Sequence, residues 1–312
     1  MKLINYLFTV VLAISSFSSM AQQTLLGVNG GGEGSSSPGA VVSIDPATAA
    51  VTVLATPLEG AGLTGVSANS QGKVFAVSGS AGGPNGPRLL EINPTTGALI
   101  ADVGRLQTAG GNDCYIGDLS FQPGTDVLFG ILGNQGTSPR CGILNDSSVG
   151  GYLLTIDTTT AQVTVIGRDE TLGNSNGGLA FAPNGTLYFT PCWDNPGVIQ
   201  TLNPATAAVI TNVALADSSC YMGLGVRSDG VIFGSYDNEN SDKSIYTINP
   251  VSGVRVLVGS TESNLVHDLV FIGDAAPAVP HSIPTISEWG ILALSALMAL
   301  MGVARMRRRT QR

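Results

Sequence analysis

Ser43-Ile44-Asp45-Pro46-Ala47-Thr48-Ala49 is the end of a strand running into a tight turn, and the pattern returns four times. The later copies are Glu91-Ile92-Asn93-Pro94-Thr95-Thr96-Gly97, Thr155-Ile156-Asp157-Thr158-Thr159-Thr160-Ala161, Thr201-Leu202-Asn203-Pro204-Ala205-Thr206-Ala207 and Thr247-Ile248-Asn249-Pro250-Val251-Ser252-Gly253. Asp or Asn accepts hydrogen bonds from the backbone ahead of it, Pro presets φ where it follows, and Thr or Gly closes the turn. An alternating strand comes next, such as Val163-Thr164-Val165-Ile166-Gly167. A second recurring piece is a hairpin with Gly at its tip, clearest in Gly178-Leu179-Ala180-Phe181-Ala182-Pro183-Asn184-Gly185-Thr186-Leu187-Tyr188-Phe189. It recurs from Gly223 to Gly234, from Gly65 to Phe75, and in a longer form from Gly117 to Phe129. Such tips demand positive φ, which Gly supplies without strain. Two hairpins make four antiparallel strands. The repeated Asp/Asn positions are 48, 64, 46 and 46 residues apart, and four strands at a period in the forties predict an all-β chain folded as a β-propeller.

Five blades account for the spacing. The N-terminal part offers only three strands, around Leu25–Val28, Ala40–Ile44 and Val51–Leu54. The missing innermost strand is expected from Val266-His267-Asp268-Leu269-Val270-Phe271-Ile272, which would close the ring. Six blades would require further strands in the insertion from Gly130 to Gly151. The repeat broadly resembles bacterial propellers of the NHL and YncE-like kinds, without a motif that selects one of them.

Both ends of the chain read as targeting segments. Lys2, the apolar run Leu3–Ile14 and Ser19-Met20-Ala21 before Gln22 form the three regions of a signal peptide over residues 1–21, cleaved between Ala21 and Gln22. The propeller is then expected over 22–273, followed by a proline-bearing linker at 274–282. At the other end, Ile283-Pro284-Thr285-Ile286-Ser287-Glu288-Trp289-Gly290 leads into an uncharged segment ending before Arg305, Arg307, Arg308, Arg309 and Arg312. A helix over 289–304 would measure roughly 24 Å at 1.5 Å per residue, short of the ~30 Å bilayer core. Trp289 at one interface and snorkelling arginines at the other would extend its reach. Apolar residues surround this helix, so a buried amphipathic element fits it less well than a transmembrane one. The arginines place its end in the cytoplasm by the positive-inside rule.

This tripartite tail, residues 283–312, resembles the IPTL-CTERM sorting signal of Gram-negative bacteria, a relative of the PEP-CTERM signals handled by exosortase-type enzymes. Ile286 stands where the family has Leu. The resemblance implies recognition by a membrane sorting or transpeptidase enzyme acting near Pro284-Thr285. It further implies an exported product, held in the membrane or transferred to the cell surface after processing of the tail.

Composition narrows the partners. Between residues 22 and 282 there are eight basic and twenty-one acidic side chains, a net charge of −13. That excludes nucleic acid and anionic headgroups as natural ligands of the exported part. Cys114 and Cys220 each precede an innermost strand, while Cys141 and Cys192 follow the second strand of a blade. In a propeller these loops share one face. Of three connectivities, the expected pairs are Cys114–Cys141 and Cys192–Cys220. A four-cysteine metal site would call for a close Cys-x-x-Cys pair, which is absent.

Catalytic signals are scarce. The two histidines are His267, on the closing strand, and His281, in the linker; no Gly-x-Ser-x-Gly elbow accompanies them. His267 reads as a strand-end residue near the central channel. Gly30 to Gly34 is a loop between strands, with no helix after it to bind phosphate. No cofactor is expected; Asp237-Asn238-Glu239-Asn240 and Asp194-Asn195 could ligate Ca²⁺, but read as solvated turns. The innermost strands carry only Asp118 and Asp268 as acids, beside Ser67 and Ser120. Tyr115, Trp193, Tyr221 and Tyr236 are expected near one rim, either lining a surface for sugars or peptides or packing over the disulfides. The expectation is therefore a noncatalytic envelope propeller binding a protein or glycan. The competing reading is a lactonase-like hydrolase or lyase acting through a metal at the central channel.

Overall fold

The computed structural model describes residues 23–31, 35–58, 61–79, 86–133, 141–143, 150–169, 177–192, 197–216, 220–238 and 242–273. They lie within one compact unit, Ala21–Gly273. Five antiparallel sheets make a five-bladed propeller. Blade 1 holds β1 (Thr24–Asn29), β2 (Val41–Ile44) and β3 (Val51–Ala55). Its innermost strand is β21 (Val266–Ile272), paired with β1 from Thr24↔Ile272 to Asn29↔Val266. Blade 2 runs through β4 (Leu63–Ala68), β5 (Val74–Ser78), β6 (Arg88–Ile92) and β7 (Leu99–Arg105). Blade 3 comprises β9 (Ile116–Phe121), β10 (Leu128–Leu132), β11 (Leu153–Ile156) and β12 (Gln162–Gly167). Blade 4 is β13 (Gly177–Phe181), β14 (Leu187–Pro191), β15 (Val198–Leu202) and β16 (Val209–Ala214); blade 5 is β17 (Tyr221–Val226), β18 (Ile232–Asn238), β19 (Asp242–Ile248) and β20 (Arg255–Ser260).

The count is five, and the last strand completes the first blade. No additional blade arises from 130–151 among the described residues. One feature escaped the repeat pattern: β8 (Gln107–Thr108), after β7, pairs in parallel with β12 and covers part of the outer edge of blade 3.

Each recurring Asp/Asn forms the turn its chemistry predicts. The N–H two residues on donates to its side-chain oxygen at 2.7–2.9 Å in all five copies. Each turn ends in a left-handed residue: Ala49, Gly97, Ala161, Ala207 or Gly253, with φ between 59° and 70°. That residue fits against a small residue near the end of the previous blade's outermost strand. Gly97 lies against Ala55, Ala161 against Gly104, Gly253 against Ala214 and Ala49 against Gly259, while Thr206, beside Ala207, lies against Gly167. The repeat thus encodes a notch as well as a turn.

Five hydrophobic clusters fill the five interfaces between blades. The closing strand contributes Val266, Leu269 and Phe271 to the cluster between blades 5 and 1. At ~2 kcal/mol for each buried side chain, these three supply about 6 kcal/mol. That is comparable to the whole stability of an ordinary domain, so ring closure is decisive.

The hairpin tips and Asx turns share one face of the disc, which can be called the turn face. The chain enters at Thr24 and leaves after Ile272 on that face. All four cysteines lie on the opposite face, the loop face. Cys114 is bonded to Cys141 within blade 3, and Cys192 to Cys220 between blades 4 and 5.

Two stability predictions follow from this packing. Gly253 has φ +70°, and a methyl there would sit on the Ala214 carbonyl; Gly185 has φ +83° and open space around it. Gly185→Ala should cost about 1 kcal/mol for the left-handed conformation alone, whereas Gly253→Ala should cost about 3 kcal/mol through added overpacking. Equal melting shifts would contradict the notch. Replacing both Cys192 and Cys220 by Ser removes a link across 28 residues and should cost about 3–4 kcal/mol in the chain-entropy account, read by denaturant melts; an unchanged midpoint would contradict it.

Candidate functional site

The centre of the disc is where the repeat's chemistry converges. Innermost strands are edge strands, so their N–H groups facing the axis have no ladder partner and need another acceptor. Aligning the five strands puts Asp268, Gly65, Asp118, Gly178 and Gly223 at one level, with Leu269, Val66, Leu119, Leu179 and Leu224 next. The two carboxyl groups take all five N–H groups of that second set. Asp268 accepts from Val66 and Leu269, each at 2.6 Å, and from Leu224. Asp118 accepts from Leu179 and Leu119, each at 2.6 Å.

The three glycines are dictated by space. A methyl on Gly223 would strike the backbone of Asp268, one on Gly178 would strike that of Gly223 and Leu224, and one on Gly65 would crowd Asp118. One level toward the turn face, the Ser67 hydroxyl oxygen accepts from the N–H of Phe121 at 2.9 Å. The Ser120 oxygen accepts from the N–H of Phe181 at 2.8 Å. Asp268, Ser67, Asp118 and Ser120 therefore each latch their own inner strand to that of the next blade.

Both aspartates have zero exposure, and they hydrogen-bond to each other. Burial raises the pKa of the pair, and the charge of Asp268 raises that of Asp118 further; the amide donors pull the other way. Their oxygens are spent on backbone and on one another, so neither faces an open channel. Among the described residues, no three His, Cys, Asp or Glu side chains converge as a metal site would need.

His267 sits above this pair. A bulge lies between Val28 and Asn29 opposite it, so His267 falls outside the β1–β21 register. Its ring fills the space against Gly30. Burial lowers its pKa to about 4, leaving it neutral near pH 7. No hydroxyl or thiol hydrogen-bonds to it among the described residues.

The rim aromatics divide. Tyr115 and Tyr221 are 1% and 0% exposed, so they are packed inward and line no binding surface. Burial pushes both phenols above their ordinary range. Tyr221 accepts a hydrogen bond from Arg255 at 3.2 Å, and that guanidinium lies 4.3 Å from the Tyr246 ring and 5.4 Å from that of Tyr236. Trp193, Asp194, Asn195, Glu239, Asn240, His281, Ala21, Gln22 and the whole of 283–312 lie outside the described residues, as does the expected helix over 289–304.

Sequence reasoning found Asp118 and Asp268 but missed their pairing; the alternation of Asp and Gly at one repeat level was the available signal. It also missed Gln200, fully buried with neither side-chain atom hydrogen-bonded, where the other blades carry Val42, Leu90, Leu154 and Tyr246. Nothing in the structure explains that replacement.

Comparison with known proteins adds an address. No curated protein matches the sequence. Similar solved structures include a protein of unknown function from Bacteroides caccae, at 11% identity, TM-score 0.48, over 81% of this chain and all of that one. Another is XC5397 from Xanthomonas campestris, described as a gluconolactonase, at 12% identity, TM-score 0.46, over 73% and 71% of the two chains. A third is Kuenenia stuttgartiensis hydrazine synthase, at 14% identity and TM-score 0.41, over 62% of this chain and 48% of that one. This chain spans about half the length of the hydrazine synthase chain. The IPTL-CTERM motif model matches residues 281–308. The motif and the two disulfides point to an exported, extracytoplasmic protein: a five-bladed propeller bearing an IPTL-CTERM tail.

Proposed function

We propose that the protein is a noncatalytic binding or scaffolding propeller of the cell envelope, delivered by its C-terminal sorting signal. The observation that carries this reading is the closed centre of the disc. A channel enzyme needs acidic or histidine side chains free to meet a substrate or ion. Here Asp118 and Asp268 are consumed by five backbone N–H groups, and His267 is packed on Gly30.

The binding surface in this reading is the loop face. Both disulfides lie on that face, Cys114–Cys141 in blade 3 and Cys192–Cys220 between blades 4 and 5. A partner protein or glycan would meet the loops there, on the face opposite the end of β21 at Ile272. The segment 289–304 would cross the inner membrane, Arg305–Arg312 would remain cytoplasmic, and a sorting enzyme would act near Pro284-Thr285 after removal of residues 1–21.

Two experiments test this reading. Deleting residues 283–312 should release the propeller in soluble form from the envelope fraction; identical fractionation of truncated and full-length protein would overturn delivery by the tail. Purified protein should contain no stoichiometric divalent ion and show no metal-dependent hydrolysis of aldonolactones. A tightly bound ion whose removal abolishes such hydrolysis would establish the lactonase-like alternative.

A further inference from the structure

The aspartate pair carries a consequence beyond latching. Five amide dipoles point at the two carboxyl groups, and among the described residues no cation faces them. Strands β1, β4, β5, β10 and β13 carry no ionisable side chain; β14 carries Tyr188, β17 carries Tyr221, and β18 carries Tyr236 and Asp237 toward its loop-face end. His267, on β21 itself, is neutral. Amide donors hold one buried carboxylate well, but a second negative charge in hydrogen-bond contact with the first has nothing to offset it.

We infer that Asp118 and Asp268 hold a single proton between them, and that this proton locks the ring of inner strands. Asp268 takes three N–H donors and Asp118 two, so the negative charge rests on Asp268 and the proton on Asp118, whose O–H donates to Asp268. The pair joins β9 of blade 3 to β21 of blade 1 across the axis. It thereby ties the interior of the ring to the strand that closes it. Losing the proton would set like charges against each other at that junction, with repulsion directed outward along the radii of blades 1 and 3.

The sign of the pH dependence follows. A carboxyl whose folded pKa is raised binds more proton in the folded state, so its stabilisation is complete below the ordinary carboxylate range, about 4, and is lost as pH rises through the folded value. His267 acts oppositely: its folded pKa is depressed, so it reduces stability as pH falls below about 6.5. The buried tyrosines hold their protons until above about pH 10. The interval from pH 7.5 to 9, where the unfolded imidazole is neutral as well, therefore isolates the carboxyl pair.

Melting of the full-length chain across that interval tests the inference. The midpoint should fall with rising pH, by about 3–5 °C for each unit over which the folded pair keeps its proton. Asp118→Asn, which supplies a permanent N–H donor to Asp268 without a charge, should flatten the slope. A wild-type midpoint that is constant or rises, or a slope that persists in Asp118→Asn, would overturn it. Should that variant fail to fold, proton release on unfolding the wild-type chain at pH 7 decides: about one proton set free supports the shared proton, and none or net uptake refutes it.

Discussion

The structure depends on how the inward edges of five innermost strands are satisfied. Every propeller leaves such an edge on each blade, and a buried N–H without an acceptor costs about 1–3 kcal/mol. Here five N–H groups at one level would together rival the stability of the domain. Two aspartates answer all five. Glycine at the other three positions follows from the same constraint, because a narrow ring cannot hold five side chains at one level. The two serines repeat the device one level toward the turn face. Polar chemistry at the centre is thus accounted for by the fold.

Around that hub the blades are joined by two further repeated contacts. Each interface has its own hydrophobic cluster, and each Asx turn sets a left-handed residue or its neighbour against Gly or Ala on the preceding outer strand. Alanine at three of the left-handed positions accepts conformational strain. Its methyl group is fully buried at Ala49, Ala161 and Ala207, and this packing offsets part of the cost. Gly97 and Gly253 occupy the tighter notches. The outcome is a closed ring in which β21 stabilises both its neighbours and the hub, through Val266, Leu269, Phe271 and Asp268.

Local chemistry was legible in the sequence and long-range pairing was not. The Asx turns, the Gly-tipped hairpins and the need for β21 to complete blade 1 could all be read, because turn residues and alternation act over a few positions. Asp118 and Asp268 are 150 residues apart, and no local pattern announces that two acids on nonadjacent blades meet. Likewise the sequence left Tyr115 and Tyr221 open between a rim surface and packing over the disulfides, and the structure buries both rings. The strand β8 is too short for periodicity to reveal. The tail was legible for a different reason: its residue order is recognised as a motif, and that motif speaks of destination.

Amide hydrogen exchange most directly tests whether the centre of the disc is a closed structural hub. The N–H groups of Val66, Leu179 and Leu224 should be among the slowest to exchange in the folded protein, matching the interior strands of the blades. Exchange of those three at the rate of exposed turn amides, such as Gln71 or Thr186, would mean that solvent reaches the aspartates. It would reopen the centre as a site for chemistry.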